Sequence, residues 1–251
     1  MKKLLLILIF CLTATNLAYG AIARDPNAAT SATAGSTVNK TLTFAYTVTA
    51  GSTNRLIVAI GFEWNGTQSI TSVTYAGTTM TLGKAQPTNA NGDTSYVYFL
   101  DNPTSGANNV VVNGVTNEQM HGTLNAFAQN YSGVKQNGVV DASYGTSGAS
   151  GTTYTGTLTV VADNSWATMV NQNGGAIISA STNATAVSAE IGSPTARPFD
   201  NRDYGAIAAG SFSLNATASS SVPWSLAMIS FEPDTTAAAA EINNSQIQII
   251  E

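Results

Sequence analysis

Bulky and small polar residues take turns along most of this chain. Across residues 41–49, Leu42, Phe44, Tyr46 and Val48 alternate with Thr41, Thr43, Ala45, Thr47 and Thr49. A repeat of two sends neighbouring side chains to opposite faces of a strand, so one face is apolar and the other carries threonine. Tyr154, Leu158 and Val160 alternate with Thr153, Thr155, Thr157 and Thr159 in the same way. Residues 56–62 are apolar on both faces and predict a strand in the middle of a sheet covered on both sides. The run 224–231 sets Trp224, Leu226 and Met228 against Ala227, Ile229 and Phe231 and reads as a second central strand.

Gly, Asn, Ser and Asp turns separate the remaining strands. Residues 69–75 and 79–82 flank Ala76-Gly77 as a hairpin-like pair. Further strands are expected at 96–100, 110–112, 121–131, 139–144, 154–161, 166–170, 176–179, 185–191, 204–214 and 222–231. About a dozen short strands without a convincing helix predict an all-β, two-sheet antiparallel sandwich over residues 41–233. No internal repeat of fixed period is visible.

The ends read differently. Lys2 and Lys3 precede an apolar stretch at 4–12, and Ala18-Tyr19-Gly20 puts small residues before Ala21. That is the layout of a Sec-type secretory signal over residues 1–20, with an apolar run too short to span a bilayer. Residues 21–40 are small and polar and are expected to be a flexible lead-in. The tail 234–251 contains a short stretch of strand character at 246–250. Cys11 is the only cysteine and lies within the signal, preceded by Phe10 where lipidation wants a small residue. The processed chain then holds no thiol, which removes disulfides, thiolate metal sites and thiol catalysis.

Charge narrows the partners. Removing Lys2 and Lys3 leaves seven basic against fourteen acidic side chains, a formal charge of −7. Nucleic acid and anionic lipid both want basic clusters that this composition lacks. A carbohydrate or cell-envelope surface is the expected partner, with no membrane insertion after processing.

Side chains with catalytic potential are sparse and scattered. His121 stands alone at a strand start, which reads as a solvated or hydrogen-bonded residue rather than a ligand or base. No G-x-S-x-G elbow and no Glu-x-Asp-x-Glu row occurs. Two places stand out as ligand-binding candidates. Glu63-Trp64 follows a buried strand and could grip a sugar by charge and ring stacking. Asp200, Asp203 and Tyr204 belong to the densest polar cluster, 199–204, expected to be an ion-paired loop. Together with Asn201 its acids supply oxygens of the kind calcium takes, although the spacing is not that of an EF-hand. No metal and no other cofactor is expected.

Several segments resemble a loosely defined group of β-sandwich domains found in bacterial secreted proteins and in some phage structural proteins. They are Thr74-Tyr75-Ala76-Gly77 within 71–82, and Tyr98-Phe99-Leu100-Asp101-Asn102-Pro103 followed by Gly106. Tyr131-Ser132-Gly133-Val134 leading to Val140-Asp141, then Ala162-Asp163-Asn164-Ser165-Trp166 and the closing stretch 224–233, complete the set. The resemblance implies a jelly-roll-like sandwich of concanavalin-like shape and implies no activity, since the matching pieces are strands and turns. The expected function is an exported, non-enzymatic module for binding or adhesion at a glycan or envelope. Two alternatives stand beside it: a self-assembling subunit that donates its C-terminal strand, and a polysaccharide hydrolase or lyase.

Overall fold

The computed structural model describes residues 21–27, 30–34, 39–62, 68–87, 92–116, 123–175, 178–179, 185–191 and 199–236. Among them eighteen strands, numbered along the chain, form four antiparallel sheets. Sheet I has the order β3 (Asn39–Val48), β9 (Gly106–Thr116), β5 (Gln68–Tyr75) and β6 (Thr78–Thr79). Sheet II runs β10 (Leu124–Ser132), β4 (Arg55–Phe62), β8 (Thr94–Asp101) and β7 (Thr81–Gln86). The outer edge of its β10 is shared by β1 (Ala23–Arg24) and β2 (Thr30–Ala34). Sheet III runs β11 (Ala142–Gly148), β18 (Trp224–Phe231), β13 (Ser165–Asn173), β16 (Phe199–Ile207) and β15 (Thr185–Ile191). Sheet IV is β12 (Thr153–Val160), β17 (Gly210–Ala218) and β14 (Ile178–Ser179).

Side-chain alternation stacks the sheets in the order I–II–III–IV. Leu42, Phe44 and Tyr46 of sheet I meet Leu56, Val58, Ile60 and Ala126 of sheet II in a first core. The opposite face of sheet II brings Ile57, Val97, Phe99 and Phe127 against Val170, Ala227, Ile229 and Phe231 of sheet III. Met169, Leu226 and Met228, on the far face of sheet III, pack on Leu158, Leu214 and Ala216 of sheet IV. Every residue of β4 is buried, because it lies under a sheet on each side. Gly156 lets sheet IV sit close: a Cβ there would come within 2.9 Å of Leu226 Cδ2 and Met228 Sδ.

The two halves of the chain repeat one topology. In sheet II the edge segment, β10, β4, β8 and β7 lie side by side; in sheet III the order is β11, β18, β13, β16 and β15. In sheet I, β3, β9 and β5 match β12, β17 and β14 of sheet IV. With β1 and β2 counted as one edge strand and the two-residue β6 left out, each sandwich pairs its first, eighth, third and sixth strands in one sheet and its second, seventh and fourth in the other. That is a jelly roll. The all-β antiparallel sandwich expected from the sequence is therefore present twice, in tandem, where one two-sheet body over 41–233 was expected.

Three local expectations change. Residues 21–40, expected to be flexible, contribute β1 and β2, which cover the edge of β10 while Ile22 inserts into the II–III core. An unpaired β10 edge would otherwise present free backbone groups. The run 204–214, read as one strand, is divided between β16 and β17 in different sheets. The break falls at Ala208-Ala209, and Gly210 at φ +127 takes a backbone shape that side chains disfavour. At Ala76-Gly77 the expected hairpin is present, with both residues at positive φ (50 and 80) as a type I′ turn requires. Its second arm leaves at buried Met80 to become β7 of sheet II. The tail beyond residue 236, with the expected strand at 246–250, and the segment 1–20 lie outside the described residues.

Residues 133–141 join the halves and are held by Arg55. Its guanidinium donates Nε and Nη2 to Asp101 at 2.6 and 3.0 Å. It also donates to the carbonyls of Val139 (2.9 Å) and Lys135 (3.0 Å) and lies 4.7 Å from the Phe99 ring centre. The side chain is fully buried. Replacing it leaves the Asp101 carboxylate with the Gly138 N–H as its remaining donor and takes a donor from two carbonyls, and breaking a buried pair in this way costs about 3–5 kcal/mol. Arg55→Ala is expected to lower the unfolding free energy by that amount in urea titration; an unchanged midpoint would show the joint to be dispensable.

Candidate functional site

Of the sequence-derived candidates, Asp203 and Tyr204 are described with their side chains, and they do not share a site. Glu63 and Trp64, like His121, lie outside the described residues. The cluster 199–204 is not a loop but the first part of β16, inside sheet III. Strand alternation then sends Asp203 and Tyr204 to opposite faces. Tyr204 is 40% exposed and stacks on Phe212 of sheet IV, with ring centres 5.3 Å apart and planes at 26°. Asp203 is buried between sheets II and III. Asp200 sits opposite Asn171 in the β13–β16 ladder. Asn201 spends its amide on Met169 O (3.0 Å) and Thr168 Oγ1 (3.2 Å). Among the described residues no group of three or more His, Cys, Asp or Glu is placed to hold a metal ion.

Asp203 is a joint between the halves. It accepts the Tyr131 hydroxyl at 2.9 Å and Arg24 Nη1 at 3.4 Å, both from sheet II, with 3% of its side chain exposed. Burial raises its carboxyl above the ordinary value, and Arg24 and the Tyr131 hydrogen bond only partly oppose this. Burial, then the neighbouring carboxylate, lifts Tyr131 well above the usual phenol range. Other described carboxylates serve turns. Asp25 accepts Thr49 N (2.8 Å) and Asn27 N (2.9 Å), Asp141 accepts Ser230 Oγ (3.0 Å), and Asp163 accepts Ala209 N (2.8 Å). A cleft of about 210 Å³ opens beside Asp25, between Ala23–Pro26, Thr49–Ala50 and Asn130. Its polar groups tie β1 to the end of β3.

The ordered polar surface lies elsewhere, on the two outer sheets. In sheet IV, Thr153, Thr155, Thr157 and Thr159 face Thr217, Asn215, Ser213 and Ser211 across the β12–β17 ladder. Their inward neighbours Tyr154, Leu158, Leu214 and Ala216 are buried, so the eight polar residues share the outward face. Thr157 Oγ1 and Ser213 Oγ hydrogen-bond at 2.8 Å. Ranks repeat at about 6.8 Å along the strands and about 4.8 Å between them. Sheet I carries a sparser version, in which Val111 and Ala107 stand opposite Thr43 and Thr47. Thr41, Thr43 and Thr47 alternate with Leu42, Phe44 and Tyr46, and Thr41 donates to Asn113 Oδ1 at 2.8 Å. Asn113 in turn donates to Ser72 Oγ at 2.9 Å. None of the outward residues in these ranks is charged.

The threonine halves of these arrays are plain in the sequence. Their partners, Ser211, Ser213, Asn215 and Thr217, were missed because 204–214 was read as a single strand; their alternation with Phe212, Leu214, Ala216 and Ala218 was the available signal. No protein-family model matches the chain, and no curated protein matches it.

The raised Asp203 carboxyl has a pH consequence. The folded state keeps this proton where the unfolded chain has released it, so the stabilisation is complete below the unfolded value and is lost as pH rises through the folded one. Asp203→Asn keeps an acceptor for Tyr131 and cannot titrate. As pH rises from about 4 the variant is expected to lose less stability than the parent in urea unfolding; superimposable pH profiles would refute this.

Proposed function

We propose that this protein is an exported, non-enzymatic binding module that attaches to a neutral, hydroxyl-rich surface, a glycan or glycan-bearing envelope, through its flat outer sheet faces. The observation that carries the reading is the row of paired Thr, Ser and Asn side chains on sheet IV. Each threonine offers a hydroxyl and a methyl group, which suits a sugar's alternating hydroxyl and C–H edges. The strands hold these groups in place before contact, so little side-chain freedom is lost on binding. Charge supports the same partner class: an acidic chain with uncharged faces repels anionic polymers and offers cationic ones no patch there. Hydrolysis would call for two carboxylates across a cleft, whereas Asp25, Asp141, Asp163 and Asp203 are used in turns and at the joint between halves. The signal-like segment 1–20 supports export.

Retention of the processed protein on insoluble neutral polysaccharide, measured by depletion from the supernatant, tests the reading. Thr155→Lys/Thr157→Lys, at exposed positions, is expected to weaken retention on that face by about tenfold, equivalent to about 1.4 kcal/mol, with little change in melting temperature. No retention of the parent protein on any neutral polysaccharide would reject the proposal.

A further inference from the structure

The cleft beside Asp25 keeps polar capacity that the fold does not use. It opens at one end of the first sandwich, between β1, the turn after β3 and the last residues of β10. Asn130 stands in its wall and is 1% exposed. Strand alternation turns its side chain to the same face as Ala126 and Ala128, toward the I–II core. Its Nδ2 reaches Asp25 Oδ2 at a long 3.4 Å, and among the described residues its Oδ1 accepts no hydrogen bond. A buried amide oxygen without a donor is unfavourable, and native folds rarely leave one so. Arg24 also lines the cleft. Among the described residues its guanidinium makes one hydrogen bond, 3.4 Å to Asp203, with 35% of the side chain exposed, so most of its N–H groups are left for a ligand. The Asp25 carboxylate, by contrast, is already spent: Oδ1 accepts Asn27 N and Thr49 Oγ1, both at 2.9 Å, and Oδ2 accepts Thr49 N at 2.8 Å.

We propose that this cleft binds a single neutral sugar residue, with one hydroxyl donating to Asn130 Oδ1 and another accepting from Arg24 or from the Ser132 hydroxyl. The inference rests on the glycan reading above for its partner class and adds a place where one sugar unit is recognised apart from the sheet faces. Volume decides the size of the ligand. The cleft holds about 210 Å³, the share of roughly seven waters at about 30 Å³ each and less than the roughly 300–1,000 Å³ of a site for drug-sized molecules. That admits one sugar ring and not a run of chain. Charge decides its kind. A cation would meet a carboxylate whose oxygens are already taken, with Arg24 beside it. An anion would lie against Asp25 and compete with Asp203 for Arg24. A neutral ligand that both donates and accepts meets neither obstacle. Pro26 and Ala50, both exposed and both lining the cleft, supply apolar surface for the C–H edge of a sugar.

The test titrates the nitrogen-labelled, processed protein with glucose, galactose, mannose and N-acetylglucosamine, each alone, and follows its amide signals by NMR. At least one sugar is expected to move the Asn130 side-chain amide and the Ala50 and Ser132 backbone amides together and saturably. Ser132→Trp and Ala50→Trp, at exposed positions, put a ring across the mouth of the cleft. Each is expected to weaken that response by about tenfold or more with an unchanged melting temperature. Melting curves identify a variant that fails to fold, and the titration of the parent protein decides by itself where neither folds. Unchanged affinity in a folded tryptophan variant would overturn the proposal. So would shifts confined to the outer faces of sheets I and IV, or no saturable response to any of these sugars, which would make the cleft a place for water only. Retention on insoluble polysaccharide without a response in the cleft rejects the cleft and leaves the binding reading standing. A response in the cleft without retention rejects attachment through the sheet faces and leaves the cleft.

Discussion

Two of the four sheets have no side open to water, and the rest of the molecule follows from that. Sheets II and III are each covered on both faces, so their strands cannot follow the half-polar alternation of an ordinary antiparallel sheet. β4 and β18 meet this with apolar residues on both faces. Where polar groups enter the II–III interface they are mostly neutral and bonded across it or to their own sheet. Ser95 pairs with Ser225 at 2.8 Å, Asn125 reaches Gln172 at 3.4 Å, and Asn171 donates to Ser225 O at 3.0 Å. Two of the buried charges stand at joints with built-in partners, Arg55 with Asp101 and Asp203 with Arg24. Burying an unpaired group there would cost a large share of the margin by which a fold of this kind is stable.

The same constraint explains where the polar residues at 199–204 go. Residues 199–204 look like an exposed loop because they hold two acids, an amide and an arginine in succession. In the fold they form a strand between two layers. Asn201 bonds to β13 of its own sheet and Asp203 serves the interface between halves, while Tyr204 packs outward on Phe212. A polar cluster in this fold is more often a seam between sheets than a site.

Much of the architecture was legible in residue alternation, and the reasons for the remainder are specific. Period-two runs such as 41–49 and 153–160 gave strand, face and inward set correctly, because one face meets solvent and the other a core. Residues 56–62 disclosed a doubly covered strand for the opposite reason. The duplication stayed hidden because equivalent strands share a position and not an amino-acid pattern: β4 is almost wholly apolar, whereas β13 ends in Asn171-Gln172-Asn173. Short edge strands were lost for want of bulk. β2 reads Thr-Ser-Ala-Thr-Ala and is held by backbone pairing with β10, which leaves no signature in side chains. The threonine faces were visible, but their two-dimensional order depends on register, which no single strand reveals.

All strands of sheets I and II come from residues before 133, and all strands of sheets III and IV from residues after 141. Among the described residues no strand is exchanged between the sandwiches. The first jelly roll can therefore close on itself as soon as its eighth strand is available, with no help from the second, and docking of II on III is left as the final event. Until then Phe99, Phe127, Ile229 and Phe231 are open to water on both partners. This interval, rather than the finished particle, is when the chain is most exposed to sticking to its neighbours, and the short, clamped connector at 133–141 shortens it by keeping the two surfaces close.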